Sequence, residues 1–154
     1  LLEEQVSIRN LPLILEAIAE ARLTHAGPEA ICEQVRQRLG FQLVAELRRP
    51  DGTLPLLQLD TEWEETFTSY QVESDRGGVD VALPPELFNR LCDGVASEVR
   101  AAGERGVTPA LVTSGRRRRF LRTVLSARGI PNPVLSFEEI GLEARPALVG
   151  TVAA

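Results

Sequence analysis

Gly115–Ile140, GRRRRFLRTVLSARGIPNPVLSFEEI, is the stretch on which the reading of the chain turns. The apolar run just before it, Pro109–Ser114 (PALVTS), is strand-like, and so is Val134–Ser136 within it. Between them lies a helix. Ser114 stands as its N-cap, Gly129 as its stop, and Pro131 follows. At about 100° per residue, Phe120, Leu121, Val124, Leu125 and Ala127 share one face. Arg118, Arg119 and Arg122 point the other way. Strand, helix, strand is the unit of an α/β layer. Arg116–Arg119 fill the first turn, where the helix dipole favours anions. Each such charge, if exposed, costs about 0.3–1 kcal/mol there. The helix therefore needs an anionic partner: carboxylates of this chain, a partner surface or a bound anion.

The chain has 154 residues, 44% of them apolar, enough for one compact domain or one and a half. It is acidic, with net charge −5, and all 17 basic residues are arginine. Methionine is absent even from position 1, so a chain opening on Leu1 is expected to be a piece of something longer. Charge is segregated. Residues 51–80 carry a net −7 and residues 100–128 a net +7. Such blocks either neutralise each other inside a domain or face partners.

Working outward, residues 1–9 read as a helix tail and turn. Asn10 is an N-cap for a helix to about Arg22, with Leu11, Leu15, Ile18 and Ala19 as its stripe. From Pro28, apolar residues Ile31, Val35, Leu39, Leu43 and Leu47 predict one long helix, weakened at Gly40. Arg48–Thr53 (RRPDGT) breaks the pattern and divides helical residues 1–48 from α/β residues 49–154. Beyond it come a strand at Leu54–Leu59 and a helix at Thr61–Tyr70 capped by Asp60 or Thr61. A polar turn at Ser74–Asp80 and an extended piece at Val81–Leu83 follow. Pro84 opens a helix to about Arg105 with Leu87, Leu91, Val95 and Val99 inside, and a last strand covers Ala147–Val152. The fold class is α+β or α/β: helices followed by a small unit with a mixed sheet flanked by helices.

Reactive chemistry is sparse. His25 is a lone loop histidine, and Cys32 and Cys92 lie far apart without metal or redox spacing, as in a reduced cytosolic protein. No nucleophile-elbow, metalloprotease or P-loop motif occurs. Glu62, Glu64 and Glu65 form an acidic helix face, and Asp60 lacks a second acid at a neighbouring strand end. No catalytic, metal or cofactor residue is assigned. Two sharper readings use the arginines. Thr113–Gly115 at a helix start is a candidate phosphate or nucleotide cradle. RRRRFLR is a candidate nucleic-acid patch, against which the overall acidity argues. The leading reading is protein contact through Arg116, Arg118, Arg119 and Arg122, with Glu62, Glu64 and Glu65 as counterparts, and the anion- or nucleotide-binding module is the alternative to it.

Several stretches resemble the FlhA/SctV family of bacterial type III export-gate proteins. Val6–Ala21 (VSIRNLPLILEAIAEA) resembles a family signature, and Val35–Leu43 (VRQRLGFQL) is similar to VRQxLGRQI, with Phe41 in place of Arg. Leu59–Phe67 (LDTEWEETF) resembles LxPEWE, with Thr61 for Pro. Thr108–Ser114 matches the family's strand before an Arg-x-x-x-Arg helix. Pro133–Ile140 (PVLSFEEI) resembles PVLSYNEI, and Leu148–Val152 (LVGTV) the family's VVGTI/V ending. The matches keep the family's order across nearly the whole chain. The resemblance implies the end of the third, helical cytosolic subdomain and all of the fourth, α/β one. It implies a non-enzymatic, cofactor-free part of a homo-oligomeric ring, a nonamer, at the cytoplasmic face of the inner membrane. The full-length protein would be integral to that membrane and this piece soluble. Implied partners are other export-apparatus proteins and chaperone–substrate complexes, the latter mostly at subdomains before Leu1. TEWEETF favours the flagellar over the injectisome branch.

Overall fold

Four short, almost wholly apolar runs assemble into one parallel sheet. A strand buried on both faces has no polar alternation, and Ala110–Thr113 and Val134–Ser136 are buried at every residue. The computed structural model describes residues 1–4, 6–25, 27–73, 79–141 and 144–154. In chain order it has a 3-10 turn at Leu2–Glu4, α1 (Leu11–Ala21), α2 (Pro28–Arg38), α3 (Gly40–Leu47) and β1 (Thr53–Leu59). There follow α4 (Thr61–Ser69), β2 (Gln71–Glu73), β3 (Val79–Val81), α5 (Pro85–Glu104), β4 (Ala110–Thr113), α6 (Gly115–Ala127), β5 (Val134–Ser136) and β6 (Arg145–Val152).

The sheet order is β5-β4-β1-β6 and every pairing in it is parallel. The α/β architecture is thus as expected, while the anticipated mixture of directions is resolved into two sheets. Antiparallel pairing is confined to the β2–β3 ribbon, with Gln71 opposite Val81. Of the polar turn expected at Ser74–Asp80, residues 74–78 lie outside the described residues, while 79 and 80 are strand. The extended piece expected at Val81–Leu83 is β3, Val79–Val81, held by its pairing to β2.

Alternation along the strands sorts side chains to two cores. Leu57, Leu111, Val134 and Val152 face α4, α5 and α6, joining Trp63, Phe67, Leu91, Val95, Leu121 and Leu125. Leu54, Leu56, Ala110, Val112 and Leu135 face the other way and pack with Val6, Ile14, Ala17, Val35, Leu39, Leu43 and Val44. Helix α3 packs on β1, and α1 packs on α2 within the same core. Full burial of each large apolar side chain contributes roughly 1.5–3 kcal/mol before conformational entropy is counted. Asp60 caps α4, accepting from the Glu62 amide at 3.2 Å, and the Trp63 indole donates to the Ala153 carbonyl at 3.0 Å.

Three helix expectations are corrected. The long helix from Pro28 is two helices, broken at Leu39, whose φ −91° and ψ 6° leave the helical range. A Cβ on Gly40 would run into the backbone carbonyl of Glu139, so the chain approaches too closely for any other residue. In α1 the buried residues are Ile14, Ala17 and Ala21, whereas Leu11, Leu15 and Ile18 of the expected stripe are 50, 57 and 38% exposed. Nearly every α1 residue is apolar, so periodicity alone does not choose its inner face. In α6, Arg117 and Arg118 are 2 and 1% exposed, and Ala127 is exposed.

Candidate functional site

The arginines of α6 are held by the chain itself. Arg118 is a hub. Its Nη1 and Nη2 donate to Glu4 at 2.7 and 3.0 Å, and its Nε and Nη2 to Glu33 at 2.8 and 2.6 Å. Nη1 also reaches the Val134 carbonyl at 3.3 Å, and Glu139 stands 3.8 Å from Nε. Arg36 on α2 extends the cluster. It donates to Glu139 at 2.9 and 3.4 Å and to Glu4 at 3.4 Å. The N-terminal segment, α2, α6 and the segment after β5 thus meet at one ion cluster. A planar guanidinium suits this role because it pairs two carboxylates in bidentate fashion at once. Removing one partner of such a buried pair costs about 3–5 kcal/mol, because the other charge is left uncompensated.

The other arginines are also engaged. Arg117 donates to Glu64 at 3.0 Å, Gln71 at 3.0 Å and Thr68 at 3.3 Å, and Arg116 to Gln71 at 3.1 Å. Arg119 lies 3.8 Å from Glu29, both half exposed. Arg122 donates to the carbonyls of Asn132 at 2.5 Å and Ile130 at 2.7 Å, clamping the turn before β5. Among the described residues, none of the predicted arginines bonds one of the predicted glutamates. The link between the acidic and basic blocks is Glu64 with Arg117, which was not singled out. Arg118, expected on the solvent side, is buried, because 117 and 118 fall one turn before Leu121, Val124 and Leu125 on the same face. That spacing was the available signal for both. The partners of Arg118, Glu4 and Glu33, come from far along the chain and carry none.

At the helix start, Ser114 occupies the N-cap position, but its hydroxyl makes no capping bond and is buried without a partner. Its carbonyl accepts from the amides of Arg117 and Arg118, each at 3.0 Å. A Cβ on Gly115 would stand 3.1 Å from the Glu138 carboxylate. That carboxylate stands beside the first turn as an anion of the chain's own.

The electrostatics follow from burial and pairing. Burial pushes the Glu4 carboxyl up, but hydrogen bonds and charge from Arg118 outweigh it and hold its pKa below the usual value. Burial raises Glu139 despite Arg36 and Arg118. Burial works against the Arg118 charge, yet Glu33 and Glu4 hold it more firmly protonated than usual. A cavity of about 740 Å³ borders the cluster, between the N-terminal segment, α3, α6 and residues 131–135.

Elsewhere, His25 is half-buried, its Nδ1 2.8 Å from the Thr24 hydroxyl and 3.2 Å from the Ala21 carbonyl. Cys92 is buried in the α4–α6 core, which raises its pKa, and Cys32 is half-buried on α2. Glu62, Glu64 and Glu65 are exposed on α4. Among the described residues no group of three His, Cys, Asp or Glu is placed to hold a metal, and no helix is long and apolar enough to cross a membrane.

Comparison with known proteins bears on this arrangement. The model of the FHIPEP family matches residues 1–145. The flagellar biosynthesis protein FlhA of Caulobacter vibrioides is 36% identical over 152 residues, 99% of this chain and 22% of that protein. Protein hrpC2 of Xanthomonas euvesicatoria is 32% identical over 153 residues, 99% of this chain and 23% of that one. The chain thus spans about a fifth of the length of these relatives. Among solved structures, nonameric EPEC SctV-C superposes with TM-score 0.85 at 22% identity, covering 97% of this chain and 44% of that one. The CdsV chain of the Chlamydia pneumoniae CdsV and CdsO complex gives 0.84 at 26%, covering 97% and 43%.

Proposed function

The chain belongs to the FHIPEP family, and on that premise we propose that it is part of the cytosolic region of a type III protein-export gate, in the flagellar branch. The observation that carries this reading is the family match over residues 1–145, with a FlhA at 36% identity. The role is that of a scaffold: it builds a ring with further copies and offers surfaces to export-apparatus partners. The nonameric SctV-C and the CdsV–CdsO complex, both similar in fold, support a ring and a partner of that kind. Residues 1–48 close a helical subdomain and residues 49–154 form the α/β one. The whole protein sits at the inner membrane with this part on the cytoplasmic side.

The uncovered apolar side of α1 supports a helical-side contact. Leu11, Leu15 and Ile18 form an exposed stripe on a helix apolar nearly all round, as befits a helix buried on both sides in its full assembly. Among the arginines and glutamates first singled out, Glu62 and Glu65 are exposed, and Arg116 and Arg119 are exposed with surface pairings to Gln71 and Glu29 that a partner could replace. Arg118 and Arg122 are committed within the chain.

Leu15→Glu with Ile18→Glu tests the reading in the full-length gene of a flagellated host. Ring assembly of the purified cytosolic region, swimming and export of flagellar subunits are expected to fall, with the melting temperature unchanged. Intact rings and normal swimming would refute it; defective injection of effectors with normal swimming would transfer it to the injectisome branch.

A further inference from the structure

Arg122 is half-buried, yet the chain leaves its charge unpaired. Its Nε donates to the Ser126 hydroxyl at 3.0 Å, Nη1 to the Asn132 carbonyl at 2.5 Å and Nη2 to the Ile130 carbonyl at 2.7 Å. All three acceptors are neutral. Among the described residues no carboxylate stands within ion-pair distance of it, whereas Arg117 has Glu64, Arg118 has Glu4 and Glu33, and Arg119 has Glu29. A guanidinium carries five N–H donors, so these three bonds leave donors of Arg122 unused. Burial lowers its pKa; the Glu4 charge opposes that and the Arg118 charge adds to it. A half-buried cation bonded only to neutral oxygens gains from a carboxylate brought to it.

Arg122 lines the cavity of about 740 Å³, within the usual size of a ligand cleft. Helix α6 contributes Arg119, Arg122, Thr123 and Ser126, at i, i+3, i+4 and i+7 of one face. Leu43 and Leu47 of α3, with Val134 and Leu135, supply an apolar wall. The cleft is therefore two-sided in chemistry, cationic along α6 and apolar along α3. The α6 row spans roughly 10 Å, the length of about three residues of extended chain. A small anion would satisfy Arg122 and leave the apolar wall wet. Glu4 borders the cleft but is committed to Arg118 and Arg36, while Glu3 and Glu46 are exposed there and screened by solvent.

We propose that the cleft between α3 and α6 is a docking site for an extended peptide segment with acidic side chains along one edge and apolar ones along the other. A carboxylate of the peptide pairs with Arg122, with Arg119 beside it, and its apolar edge covers Leu43 and Leu47. Alternation of acidic and apolar residues in an extended chain produces those two edges. Peptide binding here does not depend on ring assembly, so the two tests fail separately.

The test is fluorescence anisotropy on the purified cytosolic region of the full-length protein. The probe is a short labelled peptide of alternating leucine and aspartate; leucine–lysine and leucine–serine peptides are the comparisons. The leucine–aspartate peptide is expected to bind at least tenfold more tightly than either. Arg122→Gln is expected to weaken it about tenfold, but also loosens the turn that Arg122 clamps. Ser126→Glu separates the two effects: it supplies a carboxylate to Arg122 from one turn away and keeps the clamp. It is expected to abolish binding with the melting temperature unchanged or raised. Glu46→Gln is expected to tighten binding, by removing a like charge from the cleft. The docking site is overturned if the leucine–aspartate peptide does not bind, binds no better than leucine–serine, or is unaffected by Ser126→Glu. Displacement by equimolar acetate would reduce it to an anion site and overturn the peptide.

Discussion

Arg118 shows how far a single residue can depart from its local reading. In the sequence it is one of four consecutive arginines; in the fold it is among the least exposed side chains. The sequence reading set it on the solvent side, although it falls one turn before Leu121 and Leu125 on their face; the need for an anionic partner at the helix start was legible. The partners Glu4 and Glu33 were not, because nothing local marks a pairing over more than eighty residues. The cluster has a pH signature with two opposite signs. Glu4 titrates below its ordinary 4.5, so its stabilisation is complete above that value and is lost as pH falls through the lowered one. Glu139 titrates above 4.5, so its contribution is complete below 4.5 and is lost as pH rises through the raised value. Urea unfolding in steps between about pH 3 and 6 separates them. Glu4→Gln should flatten the acid loss of stability, and Glu139→Gln should deepen it. Curves parallel to the unaltered chain would remove both carboxylates from the linkage.

At the scale of elements, the strands and most helix ends were readable because they carry chemical punctuation. Asp60 caps α4, Pro84 precedes α5, and Gly129, with φ +70°, ends the turn after α6. The failures occurred where tertiary contact overrides a repeating pattern. The four-residue apolar repeat from Ile31 to Leu47 is continuous, yet the helix breaks because Gly40 must lie against the Glu139 carbonyl. The ribbon β2–β3 was half missed, since Gln71–Glu73 is exposed throughout and has no strand-like alternation. Two stretches that carried the family resemblance, VRQRLG and SFEEI, meet here: Arg36 pairs with Glu139 while Gly40 makes room for its backbone. Gly40→Ala should therefore be destabilising by about 1–3 kcal/mol despite its better helix propensity, because overpacking against backbone cannot be relieved by a rotamer change. A calorimetric midpoint equal to or above that of the unaltered chain would show that α3 shifts without strain.

At the scale of the whole molecule, the sequence divides near Arg48–Thr53, but packing joins the two sides through a shared sheet. The same strands feed both cores: Leu56 and Leu57 are neighbours in β1 and face opposite ways, as do Ala110 and Leu111 in β4. Neither core can be lost without stripping one face of β1 and β4, and parallel strands are stable only when both faces are covered. The ion cluster adds a second tie, from α2 to α6. Cooperative unfolding of residues 1–154 is the consequence, even though a composition break suggested two units. Trp63, the only tryptophan, reports the α4–α6 core through its burial and its bond to Ala153, while far-UV dichroism is weighted toward all the helices, including α1–α3. The two signals should give one coincident urea transition with the same midpoint and slope. A dichroism transition that precedes the tryptophan signal would mean that α1–α3 leave the sheet first and that the two cores are energetically separate.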